Sequence, residues 1–152
     1  MGLGFENVFM VSYDRVFVPT DGSELAEVAV DHAIEIADKF EAEVHVLYVV
    51  DIRASTPGAV WQSMMGEFHE IGENATTEIA EKMEKKGLDK FTEVTEGVPH
   101  REINNYAEEE SVDLIVMRTH GRTGLDRVLV GSNTEKIVRT SEIPVMTVGR
   151  SE

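Results

Sequence analysis

The sequence predicts an α/β domain in which a five-stranded parallel sheet carries helices on both faces. Two observations lead to this fold class. Short, nearly continuous apolar segments alternate with longer amphipathic segments along the whole chain, and no linker or internal repeat interrupts the series. Strands that alternate with helices form right-handed βαβ units, which make the strands parallel and cover both faces of the sheet.

The first half of the chain is expected to form two strands and two helices. Residues 15–19 are a short apolar run and therefore a predicted strand. In residues 23–40 the apolar positions recur at spacings of three and four, which predicts an amphipathic helix. Residues 43–50 are β-branched and aromatic, as in a strand. After a loop over 51–61, a second helical stripe is carried by residues 68–83.

The second half is expected to complete the sheet with three more strands. Residues 91–96 alternate apolar and polar side chains, which is typical of an edge strand. Pro99 lies near the first turn of a third helix. Residues 113–117 are almost entirely apolar, as in a central strand of a parallel sheet. A last helix is predicted over 132–141 and a last strand over 144–148.

Composition and charge restrict the expected partners. The chain has 29 acidic and 14 basic residues, and its formal net charge is −15. Nucleic acids and anionic membranes both require a basic footprint, so neither is an expected partner. The chain has no cysteine, which excludes disulfides and thiolate metal sites, and its five histidines are not at metal-ligand spacing.

The chain is expected to be a single domain over residues 14–150, preceded by an N-terminal extension over 1–13. The extension lacks the basic start and the long apolar core of a signal peptide. Apolar stretches elsewhere have strand length and fall short of the ~20 residues of a spanning helix. The expected location is therefore the cytoplasm.

The segments that follow the strands are the expected ligand-binding segments. In open parallel sheets, ligands bind beyond the carboxyl ends of the strands, where the strand order reverses. Gly121 and Gly124 permit a tight loop after the fourth strand. Residues 131–134 then begin a helix, whose free amide groups and dipole suit a phosphate. Residues 132–135 also fit a capping box, so the same segment is either an anion site or a plain helix cap.

Two polar residues near these segments have open interpretations. Asp21 either binds a ribose or a phosphate-bridging metal ion, or it caps the first helix. His120 either bonds a ligand or shapes its loop. The P-loop signature, the dinucleotide fingerprint and the nucleophile elbow are absent, and no catalytic residue is predicted.

Five short pieces, in this order, resemble the universal stress protein family over residues 14–149. They comprise two strand ends, a glycine–proline turn, a glycine-bearing loop with the helix start after it, and the closing strand: 18–23, 47–51, 97–99, 119–132 and 143–148. The resemblance implies a Rossmann-like fold of the adenine nucleotide alpha hydrolase-like type, with strand order 3-2-1-4-5. It also implies a homodimer formed through the last strand, residues 143–149.

The family's ATP-binding members resemble one another in a Gly-x-x-Gly stretch, nine residues and a Gly-Ser/Thr pair. Gly121, the nine residues 122–130 and the pair 131–132 match the later part of this pattern. Arg118 stands at the first glycine, where it either crowds the ribose or swings over the phosphates and adds charge.

The resemblance implies ATP, or else ADP or AMP, as the cofactor, with Mg²⁺ bound through the nucleotide at Asp21. The residues implied at the adenine and ribose end are Pro19, Thr20, Asp21, Val49 and Met117. Those implied around the phosphates are Arg118, Thr119, His120, Gly121, Arg122, Thr123, Gly124, Gly131, Ser132, Asn133 and Thr134.

The expected function is that of an ATP-dependent regulator of the stress response. Hydrolysis is expected to be slow at most, because no residue stands out as a base for the attacking water. The alternative is a nucleotide-free homodimeric interaction module of the same family, which Arg118 favours and the intact glycine–serine helix start at 131–132 disfavours.

Overall fold

The computed structural model describes residues 11–54, 58–119 and 132–149, so most of the predicted N-terminal extension lies outside the described residues. The described strands are β1 (Arg15–Thr20), β2 (Glu43–Asp51), β3 (Lys90–Gly97), β4 (Leu114–Arg118) and β5 (Val145–Val148). The helices are α1 (Glu24–Phe40), α2 (Ala59–Lys85), α3 (Pro99–Glu109) and α4 (Ser132–Thr140), with a short 3₁₀ turn at Ile52–Ala54.

The five strands form one parallel sheet in the order β3-β2-β1-β4-β5, which confirms the predicted fold class. In the central strand β1, Val16 pairs with Val44 of β2 on one side and with Leu114 of β4 on the other. The chain proceeds from β1 outward to β3, then crosses the sheet to β4. The carboxyl ends of β1 and β4 therefore lie at the switch point of the sheet, where a crevice is expected.

Both faces of β1, β2 and β4 are largely buried, which explains why these strands are nearly continuous in apolar residues, whereas residues of the edge strand β3 are mostly exposed or partly buried. Neighbouring β1 residues point to opposite faces, and Val16, Phe17 and Val18 are all at most 1% exposed. One face packs on apolar residues of α1 and α2, including Ala29, Ala33 and Met83. The other packs on α3 and α4 through Ile103, Ala107 and Ile137. This double layer fixes the sheet, so the loops at its carboxyl end stand on a rigid base.

The second helix is longer than the sequence interpretation predicted. The loop was expected to continue to about residue 61, but α2 begins at Ala59, just after Gly58 at the N-cap position. Trp61, Met64 and Met65 are partly buried, and with Phe68 they continue the apolar stripe at spacings of three and four. The expectation was wrong because the stripe was counted only from Phe68. Phe68, one turn beyond Met64, lines the cavity at the carboxyl end of the sheet.

The first and third helices have regular N-terminal signals. Ser23 is the N-cap residue, and its hydroxyl accepts a hydrogen bond from the backbone N–H of Ala26 at 3.2 Å. Pro99 occupies the first turn of α3, where its missing N–H costs no helical hydrogen bond. Among the helices of the described ranges, none has the length and apolar character needed to cross a bilayer.

Candidate functional site

A cavity of about 500 Å³ lies at the carboxyl ends of β1, β2 and β4. Its lining comes from these strand ends, from the residues that follow them, and from all four described helices: Pro19, Thr20, Asp21, Ser23, Ala26, Ala29, Leu47, Tyr48, Val49, Val50, Asp51, Phe68, Pro99, Ile103, Met117, Arg118, Ser132, Asn133 and Thr134. Small-molecule sites typically measure about 300–1,000 Å³. The cavity thus has room for a ligand of nucleotide size, at the place where open α/β sheets bind ligands.

The segment after β1 is held by a chain of hydrogen bonds. The Thr20 hydroxyl accepts a bond from the Gly22 N–H at 3.1 Å. Oδ1 of Asp21 accepts bonds from the Ser23 N–H at 2.9 Å and from the Ser23 hydroxyl at 2.5 Å. Since Ser23 caps α1, the interpretation of Asp21 as the helix cap is wrong. Asp21 instead stabilises the turn, and its second carboxylate oxygen makes no hydrogen bond within the described residues.

Arg118 ends β4 at the wall of the cavity and is 8% exposed. Its Nη1 donates a hydrogen bond of 3.0 Å to the carbonyl of Gly149, just beyond β5, whereas its Nε is buried without a partner. The bond to Gly149 directs one end of the guanidinium toward β5. The cavity is therefore not closed by this side chain, as its remaining volume of about 500 Å³ shows.

The first turn of α4 lies directly against the end of β4. The Thr134 hydroxyl, which is buried, donates a hydrogen bond of 3.0 Å to the Arg118 carbonyl. Glu135, which the capping-box interpretation directs back toward Ser132, instead forms an ion pair with Arg139, with 2.7 Å between Oε1 and Nη2. The carboxylate thus turns away from the helix start, and the polar groups of residues 132–134 border the cavity.

Nine of the residues implied by the resemblance line the cavity together: Pro19, Thr20, Asp21, Val49, Met117, Arg118, Ser132, Asn133 and Thr134. Thr119 is not brought into the lining. Its N–H and its hydroxyl both donate to the Val148 carbonyl, at 3.1 and 3.3 Å, so it is directed toward β5. The remaining six lie outside the described residues: His120, Gly121, Arg122, Thr123, Gly124 and Gly131.

Several lining residues were missed by the sequence interpretation, namely the helical residues Ala26, Ala29, Phe68, Pro99 and Ile103. A helical apolar stripe shows that a side chain is buried but not whether it meets the core or a ligand. One sequence feature pointed to these lining residues, namely the two alanines Ala26 and Ala29 near the start of α1. Side chains this small, next to a strand end, leave space instead of filling it.

Ionisable groups at the cavity lining and next to it have shifted pKa values. A hydrogen bond from Arg53 holds the pKa of Asp51 below its ordinary value, and the same contact raises the pKa of Arg53. At the start of α3, burial lowers the pKa of His100, and the positive charges of Lys136, Arg101 and Arg53 lower it further. His100 is therefore held in its neutral form more readily than an exposed histidine.

The described residues do not by themselves form a metal site. Within residues 11–54, 58–119 and 132–149, no group of three or more acidic or histidine side chains could hold a metal ion. Asp21 and Asp51 are the carboxylates in the cavity lining. Among the described residues, Asp21 therefore lacks the further acidic or histidine ligands that would complete a cation site.

Comparison with known proteins identifies the family. Residues 12–149 match the Universal stress protein family. The chain belongs to this family. It is 40% identical over 139 residues to Universal stress protein MJ0531 of Methanocaldococcus jannaschii, an alignment that covers 90% of this chain and 82% of that one.

Solved structures share the family fold. The structure of hypothetical protein MJ0577, from the same organism, superposes with a TM-score of 0.87 at 34% identity and covers 93% of this chain and 99% of that one. Universal stress protein UspA from Lactobacillus plantarum superposes with a TM-score of 0.81 at 27% identity, over 91% and 99% of the two chains. The five-stranded sheet is therefore that of a universal stress protein.

Proposed function

We propose that this universal stress protein binds ATP, with ADP or AMP as possible alternatives, in the cavity at the switch point. The proposal rests on one observation: three structural features border the same cavity. The Asp21 turn, the first turn of α4 and the apolar wall from β2, α1 and α2 enclose it together. Polar groups at one end and apolar groups at the other suit a phosphorylated nucleoside.

The polarity of the cavity fits the two ends of a nucleotide. Val49 and Phe68 offer apolar surface for a base, and Asp21 offers a free carboxylate oxygen for ribose hydroxyls or for a phosphate-bound Mg²⁺. The start of α4 adds helix-terminal amide groups, which suit a phosphate.

Two members of the fold have nucleotides in their reported structures. One is a universal stress protein in complex with cAMP, with a TM-score of 0.68, and the other is an Arabidopsis thaliana family protein with AMP bound, with a TM-score of 0.65. At 24% and 17% identity they share only the fold with this chain. The assignment of ATP therefore depends on the cavity itself.

The nucleotide would act as a regulatory ligand. The described part of the cavity contains no histidine and only Asp21 and Asp51 as acidic groups; a bidentate bond from Arg53 occupies Asp51. Asp51 is thereby kept ionised but unavailable as a base for an attacking water. We accordingly propose slow hydrolysis at most, and a role in the stress response through ligand-dependent changes at the loops or the dimer interface.

The same proposal includes a cytoplasmic homodimer formed through residues 143–149. In the described sheet, β5 is an edge strand with β4 as its single neighbour. Its Val145 and Met146 are partly exposed, so a second copy could cover both the strand edge and these side chains. Light scattering coupled to gel filtration gives the oligomeric state: a dimer mass is expected, and a monomer mass at micromolar concentration contradicts this part.

Arg118 favours one alternative, a nucleotide-free homodimeric module of the same family. It stands where ATP-binding relatives are expected to have a glycine, and a module of this kind would leave the cavity empty. One measurement distinguishes the ATP-binding function from the nucleotide-free one. Mass spectrometry of freshly purified protein is expected to detect a co-purified adenine nucleotide if the cavity binds one tightly.

Calorimetric titration of ATP with Mg²⁺ tests the cavity assignment directly. In Ala26→Phe, the new ring would enter the cavity from α1, so ATP affinity is expected to fall at least about tenfold. Glu27→Phe, on the exposed side of the same helix, is the matched control and is expected to bind like the wild type. Wild-type affinity in Ala26→Phe would show that ATP binds elsewhere.

A further inference from the structure

We propose that the buried guanidinium of Arg118 is the anion receptor of the cavity and makes this chain discriminate nucleotides by their phosphate charge. The expected ligand is an adenine nucleotide that places a phosphate against Arg118, and uncharged adenosine is rejected. This inference rests on the proposed nucleotide function. It adds the group that recognises the charge of the ligand.

The first argument is the missing counter-ion. Among the arginines of the described residues, Arg15, Arg53 and Arg139 each have a carboxylate partner, and their side chains are 42–74% exposed. Arg101 is exposed to water. Arg118 is only 8% exposed and has no carboxylate within ion-pairing distance in the described part of the chain. A buried charge is costly unless it is paired, so this site is electrostatically incomplete.

The second argument is the set of unused hydrogen-bond donors. A guanidinium has five N–H donors in a planar fork. Within the described residues, Arg118 makes a single side-chain bond, from Nη1 to the Gly149 carbonyl at 3.0 Å. Nε is buried without a partner, which native structures seldom tolerate. A phosphate supplies both the missing negative charge and the acceptor oxygens, in a geometry that matches the fork.

The third argument is position. Arg118 lines the cavity, and its carbonyl accepts the hydroxyl bond from Thr134 in the first turn of α4. Residue 118 and the start of α4, with the positive end of its dipole, therefore border the same cavity. Each would attract an anion there, and together they define one end of the cavity as its anionic end.

An unpaired buried charge also affects the free protein. It destabilises the folded chain until an anion neutralises it, so replacement by an apolar side chain of similar length should stabilise the free protein. The same replacement should weaken binding of phosphorylated ligands. A residue that only supports the fold, through its bond to Gly149, would behave in the opposite way, because its removal would destabilise the free protein.

The test compares Arg118→Met with Arg139→Met, which removes an equally charged but 74% exposed side chain from α4. The affinities of ATP, ADP, AMP and adenosine are measured by calorimetry on the full chain, and the Tm of the free protein by calorimetric scanning. In the wild type, affinity is expected to increase with the number of phosphates. In Arg118→Met, ATP affinity should fall at least about tenfold, adenosine affinity should change less than about twofold, and Tm should rise. Arg139→Met should leave the ATP-to-adenosine ratio unchanged.

The outcomes separate this inference from the proposed function. If the wild type binds none of the four ligands, both the proposed nucleotide function and the role of Arg118 are refuted. If the wild type binds ATP and Arg118→Met keeps the wild-type ratio of ATP affinity to adenosine affinity, the role of Arg118 is refuted but the proposed function is not. A lowered Tm of the free variant together with a wild-type ATP-to-adenosine ratio assigns Arg118 to the fold alone. If Arg118→Met does not fold, Arg118→Lys is tested instead, because lysine keeps the positive charge but loses the planar fork of donors. A reduced ATP-to-adenosine affinity ratio in Arg118→Lys supports the role of Arg118, and the wild-type ratio overturns it.

Discussion

The junction between β4 and α4 is expected to depend on one buried hydroxyl. Thr134 is 7% exposed, and its hydroxyl donates to the carbonyl of Arg118 at 3.0 Å, sixteen residues away in the chain. Thr134→Val keeps the shape of the side chain but removes this bond. A lost hydrogen bond costs about 1 kcal/mol, and poorer satisfaction of a buried carbonyl adds to it, so the expected loss of stability is about 1–2 kcal/mol. For a chain of this length, that lowers Tm by about 3–6 °C.

Thr76→Val is the matched control for this prediction. Thr76 is 2% exposed, and its hydroxyl also donates to a backbone carbonyl at 3.0 Å, that of Gly72. The Gly72 carbonyl lies one turn back in α2 and already accepts the helical hydrogen bond from the N–H of residue 76. The expected change in unfolding free energy is therefore within about 0.5 kcal/mol. Urea denaturation with unchanged m values measures both variants. Equal losses in the two would refute the view that the bond from Thr134 holds α4 on the sheet.

Three further predictions concern turns, packing and pH. Gly22 has a φ of +78°, so Gly22→Ala should lose about 1–2 kcal/mol in urea denaturation, and an unchanged midpoint would contradict the left-handed turn. A Cβ at Gly72 would lie 2.7 Å from Cδ1 of Tyr48, so Gly72→Ala should lose about 1–3 kcal/mol by overpacking, and a neutral result would argue against this close contact. Glu43 accepts hydrogen bonds from His45 and from an arginine, which lower its pKa; its stabilising effect is therefore present above about pH 4.3 and is lost as pH falls through the lowered value. Acid titration of stability should consequently be flatter for Glu43→Gln than for the wild type, and identical profiles would exclude this linkage.

The fold could be predicted from the sequence because its signals are local and mutually consistent. The β-branched segments, the proline and glycine turns and the spacing of apolar residues each specify one element, and their alternation specifies a parallel sheet. The start of α2 was missed because Trp61 and Met64 were not counted as part of the stripe. A helix start with no side-chain cap, as at Gly58, gives little local signal to correct such an error.

The site could be predicted only in part. The strand ends and the start of α4 were found because topology fixes where a parallel sheet binds ligands. The contributions of Ala26, Phe68 and Ile103 were not found, since they depend on how helices of both layers converge above the sheet. The orientation of Arg118 was also beyond the sequence. Whether that side chain closes the cavity or borders it is decided by its long-range bond to Gly149.

Backbone NMR of the chain during ATP titration tests most directly whether the switch-point cavity is the nucleotide site. Saturable shift changes are expected at residues 20–23, 49–51 and 132–134, which border the cavity from three separate parts of the chain. The amides at the opposite end of the sheet, around 43–45 and 90–92, should remain unchanged. Shifts confined to other surfaces, or no shifts at millimolar ATP, would contradict the account.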